Sequence, residues 1–278
     1  MIIDSQVHVW KEETPDRPWP TDGRRRQHLP YPLTYEKMLH MMDDAGVDRA
    51  IIVPPSWEGD RNDYALEAAQ RFPDRFAVMG RLTLTDPKAK DLLSRWLDDR
   101  GMLGIRLNFT NAQVEPLRQG LADWLWPLAA EAGIPIMAHT ATVMPEMIKI
   151  ANSYPTLRLI IDHMGLSSEI ARTKQREAAI ERTLAFASCP NVAVKLSNAP
   201  VYSYEAFPFR DMEPFICKII DAFGDRRCFW GTDVSHSLKY ASYRQSVTHF
   251  TEHLDFLTED NKKWVMGRSI ATYLGWGK

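Results

Sequence analysis

The chain has 278 residues, 45% of them hydrophobic and 25% charged, with a formal net charge of −2. That is the composition of an ordinary globular protein, long enough to bury its core without disulfide or metal staples, and its small net charge gives no electrostatic case for a nucleic acid or membrane partner. Three cysteines, Cys189, Cys217 and Cys228, are odd in number and far apart, so they read as reduced, buried thiols of a cytoplasmic protein. Met1 leads straight into an apolar stretch with no basic segment and no small-residue cleavage site, and no run is long enough to span a bilayer. Neither a signal peptide nor a membrane anchor is expected.

Eight apolar, β-type runs lie near residues 2–9, 49–54, 75–82, 103–108, 134–139, 157–163, 191–197 and 227–232, with starts 23 to 47 residues apart. This is the spacing of repeated strand–helix units rather than hairpins. Helical periodicity fills the gaps. Residues 34–45 carry Leu39, Met42 and Ala45 on one side, with Thr34 as N-cap and Gly46 as terminator. The 63–72 segment sets Ala65, Leu66, Ala69 and Phe72 at helical intervals before Pro73. Further helices are expected over 88–100, 121–132, 144–153, 170–188, 212–223 and 236–256, and a last one begins at Thr258. Strand and helix alternate without a linker, so residues 1–278 read as one α/β domain, a (β/α)8 barrel. Two connections stand out. Residues 10–33 hold five prolines, Trp10, Trp19 and the Arg24-Arg25-Arg26 run, and residues 198–211 hold Tyr202, Tyr204, Phe207 and Phe209. Both follow strands and should lie over the active face, as binding loops commonly do.

Chemistry-bearing residues collect at strand ends. Gln6 and His8 alternate onto one face of the first strand. His139 ends the fifth run, His163 the sixth and Asp233 the eighth. A barrel brings such ends together at its C-terminal face. Neutral imidazole is a common ligand for zinc-like ions and a competent general acid or base, while a carboxylate can take the proton of an attacking water with or without an ion beside it. Arg106 and Arg81 end the fourth and third strands, Lys195 lies on the seventh ahead of Ser197 and Asn198, and all three are candidates for gripping a substrate carboxylate. Trp57 is a candidate pocket wall. His28, His40, His249 and His253 lie in a loop or on helix faces, where packing or solvation is the expected role, and His236 stays open between touching substrate and capping a helix.

In order and spacing, several short motifs resemble the amidohydrolase superfamily, in its amidohydrolase-related branch of pyrone-dicarboxylate and sugar lactonases and related decarboxylases. They are Asp4-x-Gln6-x-His8, Gly104-Ile105-Arg106-Leu107-Asn108, Ala138-His139, Asp162-His163-Met164-Gly165, Trp230-Gly231-Thr232-Asp233 and a closing Met266-Gly267-Arg268 … Tyr273-Leu274-Gly275-Trp276. The resemblance covers essentially the whole chain. It implies a distorted (β/α)8 barrel, ligand roles for His8, His139 and Asp233 around one divalent ion, zinc or manganese, and a polarising or proton-transfer role for His163. The family's first-strand motif is usually His-x-His. Here Gln6 replaces the first histidine, and an amide is a poorer ligand than imidazole, so ion use is an open question. Val234-Ser235 likewise departs from the Trp-Pro that lactonase relatives often carry.

The leading expectation is a hydrolase acting on a small carboxylate-bearing lactone or ester. Asp233 would activate water, His163 would handle the leaving oxygen, and Arg106, Arg81, Lys195, Gln6 and Trp57 would hold substrate. Metal-dependent, non-oxidative decarboxylation of an aromatic or unsaturated acid is the alternative, and a non-catalytic small-molecule binding protein the third. Homo-oligomerisation is left open.

Overall fold

Every apolar run becomes a strand of one parallel sheet in the computed structural model, which describes residues 1–109 and 114–277. The strands β1 (Ile3–Val7), β2 (Arg49–Ile52), β3 (Phe76–Arg81), β4 (Met102–Asn108), β5 (Ile136–His139), β6 (Leu159–Ile161), β7 (Val192–Leu196) and β8 (Cys228–Trp230) pair in sequence order. Parallel neighbours cannot be joined by tight turns, and helices make the crossovers. The product is a (β/α)8 barrel, as the spacing predicts. Among the described residues no helix is long and apolar enough to cross a membrane.

Local chemistry sets the helix ends. The Thr34 side chain accepts from the Lys37 amide at 3.3 Å, and Gly46 closes Tyr35–Ala45 in the left-handed region at φ +74°. Several expected helices are shorter or broken, and residues 121–132 are helical only over Leu125–Glu131. Residues 88–100 are helical only over Ala89–Leu93, and the Ser94 hydroxyl donates to the Asp91 carbonyl at 2.8 Å. Residues 170–188 divide into Ser168–Ala171, Arg176–Leu184 and a 3-10 turn, with the Thr173 hydroxyl bonded to the Ile170 carbonyl between the first two. Such hydroxyls offer the backbone an alternative to the helix. Residues 236–256 divide because Ser242 and Gln245 form a capping box that starts a new helix at Tyr243.

Alternation along the strands layers the barrel interior. Ile51, Met79, Met137, Ile160, Ala193 and Phe229 pack together with Ile270 and Leu274 of the last helix, which closes the N-terminal end. Two residues further along, on the same inward face, come Val53, Arg81, His139, Asp162, Lys195 and Gly231. An apolar floor therefore carries a largely polar layer directly above it. β1 reaches this arrangement through an irregularity between Asp4 and Val7. Ile3, three residues before Gln6, joins the apolar floor, while Gln6 meets Lys195 in the layer above.

No strand ladder joins β8 to β1 among the described residues, and a buried carboxylate does the joining. Asp4 of β1 accepts from the Thr232 amide at 2.9 Å, the Thr232 hydroxyl at 2.5 Å, the Gln6 amide at 3.0 Å and the Tyr243 hydroxyl at 3.1 Å. The Asp233 amide adds a bond to the Gln6 carbonyl at 2.9 Å. Gly231 makes the approach feasible, since a Cβ there would sit 2.3 Å from the Ser5 hydroxyl. Removing the acceptor leaves several buried donors unpaired. Asp4→Ala should therefore lower the unfolding free energy by on the order of 3 kcal/mol, measured by urea titration; a loss near zero would show that the seam holds without it.

Candidate active site

The polar layer opens at the C-terminal face into a cavity of about 230 Å³, lined by Gln6, His8, Arg106, His139, His163 and Asp233 among others. Three of its residues stand in the left-handed region just beyond strand ends: His163 at φ +53° after β6, Asn198 at +69° after β7 and Asp233 at +53° after β8. Non-glycine residues seldom adopt this geometry, and where they do at a cleft it aims a side chain that an extended strand would carry elsewhere.

Asp233 is the centre of the site. Its Oδ1 lies 2.8 Å from His8 Nε2, and its Oδ2 accepts from Asn198 Nδ2 at 2.8 Å and lies 3.7 Å from His236 Nδ1. Burial opposes its ionisation, but His8 and then His236 hold the carboxyl well below the ordinary range. His8 has acceptors on both sides, because its Nδ1 meets the Val53 carbonyl at 2.6 Å. A carbonyl only accepts, so Nδ1 carries a proton; the short contact with a carboxylate then needs a second proton on Nε2. The pair stands as imidazolium and carboxylate.

A second ionic cluster lies beneath. Asp162 contacts Lys195 Nζ at 2.7 Å through Oδ1 and accepts from Arg106 Nε at 3.1 Å through Oδ2. Burial resists its ionisation, yet Lys195 and Arg106 together keep it well below the ordinary range. Arg106 spends only Nε here and lines the cavity with the rest of its guanidinium, which leaves a planar donor edge for a ligand. His163 is neutral: burial pushes it down to about 3, against the pull of Asp233 and Asp162. His139 is likewise lowered, by burial and then Arg106.

The sequence candidates divide accordingly. Gln6, His8, Trp57, Arg106, His139, His163 and Asp233 line one cavity. Arg81 does not: it is paired with Asp60 at 3.0 Å and faces a neighbouring cleft beside Trp96. Lys195 is fully buried, with its ammonium against Asp162 and Gln6. Both placements follow from partners that sequence spacing cannot assign, Asp60 for Arg81 and Asp162 with Gln6 for Lys195.

The ligand set His8, His139 and Asp233 does not come together as an ion site. Among the described residues no group of three or more His, Cys, Asp or Glu side chains is disposed to hold a metal. His139 donates Nε2 to the Leu166 carbonyl at 3.2 Å, leaving Nδ1 a buried acceptor without a partner. His8 and Asp233 are already in contact. The amino group of Gln6, a donor, stands 3.4 Å from each of them. A cation needs lone pairs converging on it, and the donors present do not fit one.

Other lining residues escaped the sequence reading. His28, expected to be solvated or packed, reaches the cavity from the 10–33 loop, stacks on His236 with centroids 4.7 Å apart and lies 4.6 Å from the Trp57 ring. Its Nδ1 meets the Ser235 hydroxyl at 2.9 Å. Glu169 and Tyr202 also line the wall. Asn198 had a visible signal as a polar residue just past the seventh run, and Tyr202 as part of the connection expected over this face.

Burial depresses four histidines in all: His28 and His163 to about 3, His249 to about 4, and His139 in the same direction. The unfolded chain takes up protons near 6.5 that the folded protein refuses. Their stabilisation is therefore complete above pH 6.5 and is lost as the pH falls toward the folded values. The urea midpoint should drop markedly between pH 7.5 and pH 5, with His163 and His249 each contributing on the order of 2 kcal/mol at the lower pH. A flat profile would contradict this.

Comparison with known proteins adds four findings. The family model described as Amidohydrolase matches residues 3–274. The chain is 30% identical over 250 residues to an L-fucono-1,5-lactonase of Burkholderia ambifaria, covering 83% of this chain and 79% of that protein. It is 25% identical over 238 residues to a 4-sulfomuconolactone hydrolase of Hydrogenophaga intermedia, covering 84% and 74% respectively. Among solved structures, an amidohydrolase from Burkholderia multivorans with bound zinc matches at a TM-score of 0.82 and 20% identity over 99% of both chains, which supports the fold.

Proposed function

The chain belongs to the amidohydrolase family, and we propose that it is a hydrolase that opens a small lactone, with Asp233 activating the water. The observation that carries this reading is the ionised Asp233 carboxylate at the cavity, held by His8 on one oxygen and Asn198 on the other. The named relatives, an L-fucono-1,5-lactonase and a 4-sulfomuconolactone hydrolase, support lactone ring opening as the reaction class.

Water attacks the lactone carbonyl carbon as Asp233 takes one of its protons. The charge that develops on the carbonyl oxygen is met by the His8 imidazolium, and such preorganised charge contributes a few kcal/mol to rate. Collapse breaks the bond to the ring oxygen, which takes the proton back from Asp233. The carboxylate is restored and the product is the open hydroxy acid. Arg106 grips a substrate carboxylate or ring oxygen with its free edge. His163, held neutral, has no spare proton near neutral pH, so the leaving-group role expected for it passes to Asp233. Metal-dependent decarboxylation would need an ion where the Gln6 amino group stands.

Acid release from L-fucono-1,5-lactone and from a carboxylate-bearing muconolactone tests the reading. Asp233→Asn should lower kcat on the order of 10³-fold while far-ultraviolet circular dichroism stays native. Near-full activity in that variant would remove Asp233 from the role, and carbon dioxide release from an aromatic acid would favour decarboxylation instead. Prolonged dialysis against EDTA should leave turnover unchanged, whereas loss restored by zinc or manganese would show that an ion takes part.

A further inference from the structure

Lys195 is fully buried at the heart of the barrel, and no step of the proposed reaction uses it. Its ammonium meets two oxygens, Asp162 Oδ1 at 2.7 Å and Gln6 Oε1. A protonated lysine has only protons to give. The contact therefore decides which end of the Gln6 amide is oxygen, and the amino group must face the other way. There it lies 3.3 Å from His163 Nε2 and 3.4 Å from both His8 Nε2 and Asp233 Oδ1. His8 Nε2 already carries a proton aimed at Asp233, so the two amide N–H groups go to His163 Nε2 and Asp233 Oδ1. A ring nitrogen that accepts carries no proton in neutral imidazole. His163 must then be protonated on Nδ1, which donates to the Ser197 hydroxyl at 2.7 Å. A one-way line of donors runs from Lys195 through Gln6 and His163 to Ser197. Turning the amide over would set its amino group against the ammonium and its oxygen against the Asp233 carboxylate, repulsive at both ends.

We propose that Lys195 is a positioning residue that acts through Gln6: it fixes the Nδ1–H tautomer of His163 and keeps an amino group, rather than a lone pair, in the space between His8, His163 and Asp233. A divalent ion entering that space meets hydrogens on one side, and the amide takes over the ion's task of drawing the surrounding groups together. The value of this device to turnover rests on the lactone-hydrolase reading; its geometry does not.

Two measurements without substrate test it. In protein carrying isotope-labelled histidine, long-range proton–nitrogen correlation at neutral pH should show His163 protonated on Nδ1 and bare on Nε2. Lys195→Met, which cannot direct the amide, should shift that signal toward a mixture of tautomers while far-ultraviolet circular dichroism stays native. An Nε2–H form in the wild type would overturn the proposal. Secondly, wild type and Gln6→His are incubated with excess zinc chloride, desalted and assayed for metal. Wild type should retain well under one equivalent and Gln6→His about one zinc per chain. A full equivalent on the wild type, or no gain in Gln6→His, would overturn the claim that the amide is the barrier. Should Lys195→Met fail to fold, the wild-type spectrum and the zinc comparison still decide. A protein that passes both tests yet opens no lactone would sink the proposed activity and leave the donor line standing.

Discussion

The site depends on how the barrel is closed. Seven of the eight strand junctions are parallel ladders, two of them with a register irregularity; among the described residues the eighth is made by the side chain of Asp4 reaching across to Thr232 and Tyr243 and by the Asp233 amide on the Gln6 carbonyl. Gln6 and His8 lie on one side of that seam and Asp233 on the other. The 2.8 Å contact between His8 and Asp233 is therefore a contact across the closure. If the seam shifted by an ångström, the strand ladders elsewhere would survive while this pair lost its hydrogen-bonding distance. The junction without a strand ladder thus carries a contact on which the site depends.

Burying this many charges is affordable only because they are matched. Lys195 and Arg106 flank the Asp162 carboxylate, and His8 answers Asp233. An unpaired ion at such depth would be driven neutral. Asp162 absorbs the cations that would otherwise press on the cavity from below. Its pairing with Lys195 also gives the layer a direction, since the ammonium hands polarity to Gln6 and onward. Charge matching and proton direction are thus one arrangement seen at two depths.

Much of this was legible in the sequence. Eight β-type runs separated by helix-length gaps admit few topologies, and the barrel follows. Strand-end position likewise placed Gln6, His8, His139, His163, Arg106 and Asp233 around one mouth. Partner choice was not legible. Arg81 and Lys195 share with Arg106 the signature of a cation on a strand, and the signature names no partner: Asp60 takes Arg81, while Asp162 takes both Lys195 and Arg106, and Gln6 adds to Lys195. His28 escaped because a proline-rich loop has no period from which to place a side chain. The proton on His163 escaped because it is set by a lysine thirty-two positions away acting through a glutamine at the other end of the chain. The resemblance that supplied the ligand set described a donor pattern, and the exchange at Gln6 alters that pattern at its centre.

The long first connection has a consequence for the thermodynamics of ligand capture. Residues 10–33 are already pinned: Arg17 bonds to Glu58 at 2.9 Å and to Asp63 at 2.7 Å, Arg26 bonds to Ser56 at 3.0 Å, and the segment's own Trp10 and Trp19 are buried. The freedom of that segment is surrendered when the chain folds, not when a ligand arrives. Binding then carries little loop-ordering entropy, and the wall formed by His28 and Trp57 meets each newcomer in a shape it already has. Discrimination at such a mouth works by rejecting what does not fit rather than by closing around what does.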